Sequence, residues 1–318
     1  MGLHGDRWQL RPTLSAPLEA ACLMLLANAC AAGMNVTIRV VADEIHPFEI
    51  AFFRNLFGFL VMLPFLGGIG LAAFRTRYAG RLLATGSAQV VSMLCFFTAI
   101  TLMPLGQLTA LSFTKPLFAT VGAALILHEV VRGRRWSAVA IGFLGVLIVV
   151  QPLAEPVPPA AGLVLASTVI FAGIALAIKR LVAVESPRTI VLYQSLVTTV
   201  LCLPPALLVW RWPSLEALAM LAMIGVFGTV GWLAFTRAFQ LADASAIMPY
   251  EFAKLPLTAI LAWLMFAEVP TVWTWIGGAL IFASTVYIAQ REARVARTDL
   301  AAAASGGGVM APPARPGT

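Results

Sequence analysis

The sequence predicts an all-α integral membrane protein of ten transmembrane helices, arranged as two inverted five-helix repeats. Composition, an internal duplication and the placement of basic residues carry that prediction. Of the 318 residues 60% are hydrophobic and 11% charged, with a mean hydropathy of +0.92, against roughly 25% charged in an ordinary soluble domain. The block FFTAITLMPLGQLTALSFTKPLFATVGAALILHEVVRGRRW, Phe96 to Trp136, returns in outline as FTRAFQLADASAIMPYEFAKLPLTAILAWLMFAEVPTVWTW. Lys and Arg gather in alternate loops, as the positive-inside rule requires of a chain that crosses a bilayer repeatedly.

The duplication holds position by position. Ala99 and Ala238, Leu102 and Leu241, Lys115 and Lys254, Glu129 and Glu268, and Trp136 and Trp275 lie 139 apart. Upstream the register is 140, matching Pro47 with Pro187, Leu56 with Leu196, Leu63 with Leu203 and Pro64 with Pro204. A period this long is too large for a solenoid and marks a duplicated half.

Residues 1–17 are polar and read as a cytoplasmic N-terminal tail. The apolar run that follows is too long for the core of a signal peptide, and it has a counterpart at residues 160–181, so it is read as a span. The first repeat, residues 18–151, then holds spans at about 18–41, 46–66, 80–102, 104–127 and 134–151, each near the 20 apolar residues a bilayer needs. A Pro-rich linker, 152–159, leads to the second repeat, 160–290, with spans at about 160–181, 187–210, 215–238, 243–267 and 272–290. Residues 291–318 end in an Ala/Gly/Pro composition that cannot bury a core and are expected to be a disordered cytoplasmic tail.

Counting basic residues sets the orientation. Sixteen, among them Arg75, Arg77, Arg81, Arg132, Arg134, Arg135, Lys179 and Arg180, fall on one face, and two, Arg39 and Arg211, on the other. Both termini are therefore expected in the cytoplasm, and the location is a bacterial-type inner (plasma) membrane. Five spans per repeat make the second copy enter from the opposite side, which inverts it.

Several function classes fall away. The net charge of +7 sits between apolar runs and forms no basic face for nucleic acid. Cys22, Cys30, Cys95 and Cys202 lie in apolar runs without CxxC spacing, so neither disulfide nor metal is implied. His4, His46 and His128 lie at ends or loops with no nucleophile pattern beside them. Gly225, Gly228 and Gly231 recur every three residues in an apolar span and read as helix packing. No Walker motif supports direct ATP drive, and no cofactor is implied.

The span HPFEIAFFRNLFGFLVMLP and the paired endings LHEVVRGRRWSAVAIGFLGVLIVVQP and FAEVPTVWTWIGGALIFASTVYIA resemble the drug/metabolite transporter superfamily, specifically its EamA-type ten-helix members. The resemblance spans about Leu18 to Gln290. It implies a secondary transporter of a small molecule, since members of similar appearance export amino acids and other metabolites, and some import riboflavin or S-adenosylmethionine.

Charges inside spans single out candidate site residues, because each is costly in the bilayer. Glu49, Arg54, Lys115, Glu251 and Lys254 qualify. Lys115 and Lys254 are expected about equally far from the midplane on opposite sides. Glu251 and Lys254, three apart on a helix, either neutralise each other or line a cavity, and Glu251 is the candidate coupling carboxylate. Arg54 either meets a ligand or bonds to backbone carbonyls of a neighbouring helix, and its counterpart is Gln194. Glu49 is expected at the periplasmic rim. Asn28, Gln89, Tyr193, Trp232 and Tyr250 complete the substrate-binding candidates, each with a packing or interhelical hydrogen bond as its alternative. Pro104, Pro116, Pro249 and Pro256 are expected to bend the spans that carry the two lysines.

The reading is a secondary transporter of an amino-acid-like zwitterion or organic anion by alternating access, more in favour of export, with a monomer sufficient. Its alternatives are uptake of a riboflavin- or S-adenosylmethionine-type metabolite and multidrug export. A membrane enzyme or receptor is the alternative outside transport, and no converging nucleophile and base support it.

Overall fold

The computed structural model describes residues 16–66, 76–126, 133–151, 158–181, 187–241 and 250–306. His128, Glu129, Pro249, residues 152–157 of the linker and the ends 1–15 and 307–318 lie outside them. The described chain is helical: α1 Ala16–Val41, α2 Pro47–Leu66, α3 Ala79–Leu102, α4 Leu105–Ser112, α5 Lys115–Ile126, α6 Gly133–Val150, α7 Pro159–Leu181, α8 Pro187–Leu207, α9 Leu215–Leu241, α10 Lys254–Phe266 and α11 Val272–Gly306. Proline opens α2, α7 and α8, where its missing N–H costs nothing and its fixed φ suits the first turn.

Two expectations are corrected. Residues 104–127 form two helices, α4 and α5, interrupted at Phe113 and Thr114. The tail expected to lack structure from residue 291 instead continues α11 to Gly306, since Ala, Arg, Glu and Leu dominate it and no Gly or Pro intervenes.

Helix boundaries keep the sequence register. α3 and α9 end at Leu102 and Leu241, α5 and α10 begin at Lys115 and Lys254, and α6 and α11 begin at Gly133 and Val272, each pair 139 apart. Packing is reciprocal as well: α1 lies on α9 and α3 on α7, α1 meets α10 and α7 meets α5, while α2 pairs with α8 and α6 with α11.

Small residues set the closest approaches. A Cβ on Gly277 would stand 2.6 Å from the Gly145 carbonyl oxygen, and one on Gly225 would stand 2.6 Å from Phe57 Cβ, so α6–α11 and α2–α9 cross nearly backbone to backbone. The core centres on α2, α3 and α4 through Ile50, Phe53, Phe97, Leu105, Leu108 and Leu111. The outer surface is apolar: Leu83, Leu125, Leu144, Leu147, Trp263 and Leu264 are all exposed. In water such a surface would aggregate, and in lipid it is the expected one. Three helices, at Leu18–Val41, Ala79–Leu102 and Leu215–Phe235, are long and apolar enough to cross a membrane, and four shorter apolar helices accompany them.

Candidate substrate-binding site

Two helix interruptions build the centre. After α4, Phe113 N–H donates to the Ala110 carbonyl at 3.2 Å and Thr114 N–H to Leu111 at 3.0 Å, the i to i−3 closure of a tightened turn. Before α10 the same closure recurs, Ala253 N–H to Tyr250 at 3.0 Å and Leu255 N–H to Phe252 at 3.1 Å. Pro116 and Pro256 cause both, because a proline there cannot donate the i to i−4 bond that would carry the helix through. α11 takes up one freed carbonyl, Thr285 Oγ1 donating to Phe113 O at 3.2 Å.

The interruptions meet. Phe113 and Phe252 have ring centroids 5.9 Å apart, and both rest on Phe282, at 5.8 and 4.7 Å. Lys115 Nζ lies 4.8 Å from the Phe171 ring centroid and 5.8 Å from that of Phe96, so aromatic faces of α7 and α3 flank the ammonium. Its charged neighbours are Lys254 and Glu251, so three residues expected to be functional share one region around the crossing. Glu251 is a charged neighbour of both lysines, though among the described residues the ion pair in direct contact is Arg39 with Glu268. Each lysine is the first residue of its helix, where the backbone dipole already presents positive charge. A cation there works against helix stability and in favour of an anionic group.

A cavity of about 350 Å³ opens at the arginine-rich end between α3 and α7, lined by Arg81, Ala84, Thr85, Ala177 and Leu181. Its volume is in the range of small-ligand sites. Ala177 is six residues past Phe171 on the same helix. Between this end and the opposite one, Ser92 Oγ donates to the Ser167 carbonyl at 2.9 Å and ties α3 to α7.

The remaining candidates divide. Asn28 is 3% exposed and spends its amide on the Tyr250 carbonyl at 2.8 Å, an interhelical bond rather than a cavity surface. Tyr250 itself is exposed, as is Trp232, whose ring stacks on Phe235 at 5.8 Å. Tyr193 packs on the buried cluster of Leu82, Leu181 and Ile190. Gln89 on α3 and Gln194 on α8 are partly buried. Arg54 lies apart from the lysines: its Nη1 donates to Asn55 Oδ1 at 3.0 Å and approaches Met93 Sδ at 3.9 Å.

Polar seams join the helices at the arginine-poor end. Glu268 Oε1 is 2.7 Å from Arg39 Nη2, and Glu268 Oε2 accepts the Leu105 N–H at 3.1 Å, capping α4. Arg39 Nη1 also donates to the Met103 carbonyl at 3.0 Å, and its guanidinium lies over Phe266. Glu44 accepts from Ser214 N–H at 2.8 Å and Ser214 Oγ at 3.0 Å, while Ser214 caps α9 through Ala217 N–H. Glu49, expected at the periplasmic rim, lies fully buried beside this seam and accepts the Arg211 N–H at 3.2 Å. The loop joining α8 to α9 covers it, which spacing along the chain does not reveal.

Sequence reasoning passed over Phe96, Phe171 and Asn55, and read Gly228 as helix packing alone. The phenylalanines are indistinguishable from core residues in a chain this apolar, and Asn55 was masked by the charge beside it.

Two matched, interrupted helices at the centre of an all-α membrane protein are an arrangement also found in carriers built from repeated halves. The sequence matches the EamA-like transporter family over residues 18–151 and again over 158–290, and the chain belongs to that family. It is 32% identical to a riboflavin transporter of Vibrio cholerae, over 89% of this chain and 97% of the relative. It is 29% identical to an S-adenosylmethionine uptake transporter of Rickettsia prowazekii, over 89% and 96%, and 28% identical to a pseudopaline exporter of Pseudomonas aeruginosa, over 85% and 95%. One solved crystal structure aligns with a TM-score of 0.58 at 20% identity, covering 87% of this chain and 98% of its own, a likeness of fold alone.

Proposed function

We propose that this transporter takes up a small metabolite joining a flat ring to a charged or polar chain, by alternating access of two inverted five-helix halves in a bacterial-type inner membrane. The observation that carries the reading is the meeting of two helix interruptions, where the rings of Phe113 and Phe252 touch and Lys115 stands beside the rings of Phe96 and Phe171 with Lys254 and Glu251 as its charged neighbours. Rings accept a flat heterocycle by stacking, and lysines at helix N-termini, two cations to one neighbouring carboxylate, accept an anionic group. Riboflavin and S-adenosylmethionine, the cargo of two relatives, both have that ring-and-chain form.

The seams at the arginine-poor end and the cavity at the arginine-rich end support a state closed to the periplasm and accessible from the cytoplasm, with both termini cytoplasmic. Gln89, Tyr193, Gln194 and Trp232 stand outside the centre in this reading, Tyr250 belongs to the turn that builds it, and Glu251 couples transport to protons. Export of an amino-acid-like cargo is the second reading, favoured by the relative that exports pseudopaline.

The test is counterflow in proteoliposomes preloaded with unlabelled riboflavin or S-adenosylmethionine. Accumulation of the labelled compound, lost in Lys115→Ala and Lys254→Ala variants that remain folded, supports the proposal. Counterflow of neither compound, with amino acids accepted instead, turns it to the second reading.

A further inference from the structure

The guanidinium of Arg54 stands in the middle of the helices with little to hold. It presents five N–H donors, yet among the described residues its hydrogen-bond partners are the amide oxygen of Asn55 at 3.0 Å and the weakly accepting thioether of Met93 at 3.9 Å. Among the described residues no carboxylate reaches it and no carbonyl of a neighbouring helix accepts from it, the structural role the sequence left open. The described groups that meet this permanent charge are all neutral.

Two neighbours shape this place. Asn55 is a hub: its Nδ2 is anchored to the Ala51 carbonyl at 2.8 Å and lies 3.5 Å from Met93 Sδ and 3.6 Å from Cys202 Sγ, while its Oδ1 also accepts from Thr198 at 3.3 Å. That set fixes the one acceptor that orients Arg54. Gly228, midway along α9, supplies clearance: a Cβ there would stand 3.2 Å from Arg54 Nε and 3.3 Å from Nη2. Its neighbours in the glycine repeat do a different job, Gly225 meeting α2 backbone and Gly231 the Cys30 side chain. The charged neighbours of Lys115 are Lys254 and Glu251, and Arg54 is not among them.

We propose that Arg54, oriented by Asn55 and cleared by Gly228, is a second anion-binding subsite that takes a carboxylate or phosphate group carried by the cargo, apart from the lysine-lined centre. The inference rests on the transport reading above and narrows its substrate class to cargo bearing an anionic group at some distance from its ring. A guanidinium fork suits either planar carboxylate or phosphate, which a lysine in the same place would not match.

Matched pairs test it: riboflavin against its 5′-phosphate, and adenosine against its monophosphate, titrated onto the full-length protein in nanodiscs. The readout is the affinity ratio within each pair. Wild type is expected to bind the phosphorylated member about 10- to 100-fold more tightly, the worth of one charged hydrogen-bonded contact. Arg54→Gln should collapse the ratio toward one, Arg54→Lys should keep part of it, and Gly228→Ala should lower it with Arg54 still present, which guards against misfolding of the first variant. Lys115→Gln should weaken both members and leave the ratio, so failure of the central site and failure of this subsite read differently. A ratio near one in wild type, or one that persists in Arg54→Gln and Gly228→Ala, overturns the proposal. Inorganic phosphate that stabilises wild type but not Arg54→Gln, with both pairs at equal affinity, also overturns it, by making the anion a free ion rather than part of the cargo.

Discussion

Replacing Glu268 with Gln removes one charge from a junction of three chain segments. In the wild type its two oxygens divide the work, Oε1 pairing with Arg39 at 2.7 Å and Oε2 capping the Leu105 N–H at 3.1 Å. Gln keeps one acceptor, so either the Arg39 contact or the α4 cap survives as a neutral hydrogen bond and the other is lost. A hydrogen bond to a charged group contributes about 1.5–3 kcal/mol and a neutral one about 0.5–1.5. Arg39 is not abandoned, because it retains the Met103 carbonyl and the Phe266 ring. The two side chains are 23% and 21% exposed, which admits some screening and keeps the loss below the 3–5 kcal/mol typical of breaking a buried pair. The expected loss is about 2 kcal/mol, or roughly a 30-fold shift in an opening equilibrium. Hydrogen exchange should report it at the Leu105 and Gly106 amides, and denaturant unfolding in detergent should report the stability. A double-mutant cycle with Arg39→Gln should show coupling of more than about 1 kcal/mol. Unchanged exchange at Leu105 together with additive single variants would refute the latch.

Gly277→Ala forces a Cβ to 2.6 Å from both the Gly145 carbonyl oxygen and Val149 Cγ2, and should destabilise by about 1–3 kcal/mol or more in thermal unfolding. Gly173→Ala is the contrasting case, since a Cβ there meets nothing within 4 Å, and it should be neutral or stabilise α7 by up to about 1 kcal/mol. Phe252→Ala strips two of the three contacts in the aromatic triad and should cost about 3 kcal/mol at most, its ring being only partly buried, read in the same assay. Ser214→Ala removes the α9 cap and a partner of Glu44, for a loss of about 1 kcal/mol and faster exchange at Ala217.

The helices were legible because each obeys a local rule. Apolar length sets the spans, proline at a first turn sets several starts, and Pro116 and Pro256 mark where two spans depart from a straight helix, as bends in the sequence reading and as interruptions in the fold. The 139-residue register then locates matching boundaries, as at Lys115 and Lys254. The continuation of α11 past residue 290 was obscured by reading a polar, Ala-rich stretch by its ability to bury a core, when helix propensity alone governs it.

The site was legible only as far as charge marks it. Lysines in apolar spans stand out, and the structure brings Lys115, Lys254 and Glu251 together; but Phe96 and Phe171, which flank one ammonium, carry no sequence signal that separates them from the other phenylalanines. Partnerships between distant residues were hidden altogether. Glu268 caps a helix 163 residues earlier, Glu49 accepts from a loop 162 residues later, and Asn55 meets residues 38 to 147 positions away. In lipid these pairings have no water to compete with them, so every polar side chain must find a partner across helices or face a cavity. That requirement makes the exceptions informative. A glutamate that caps a helix end has its role filled by the protein, whereas the hydrogen-bond partners of Arg54 among the described residues are neutral groups alone.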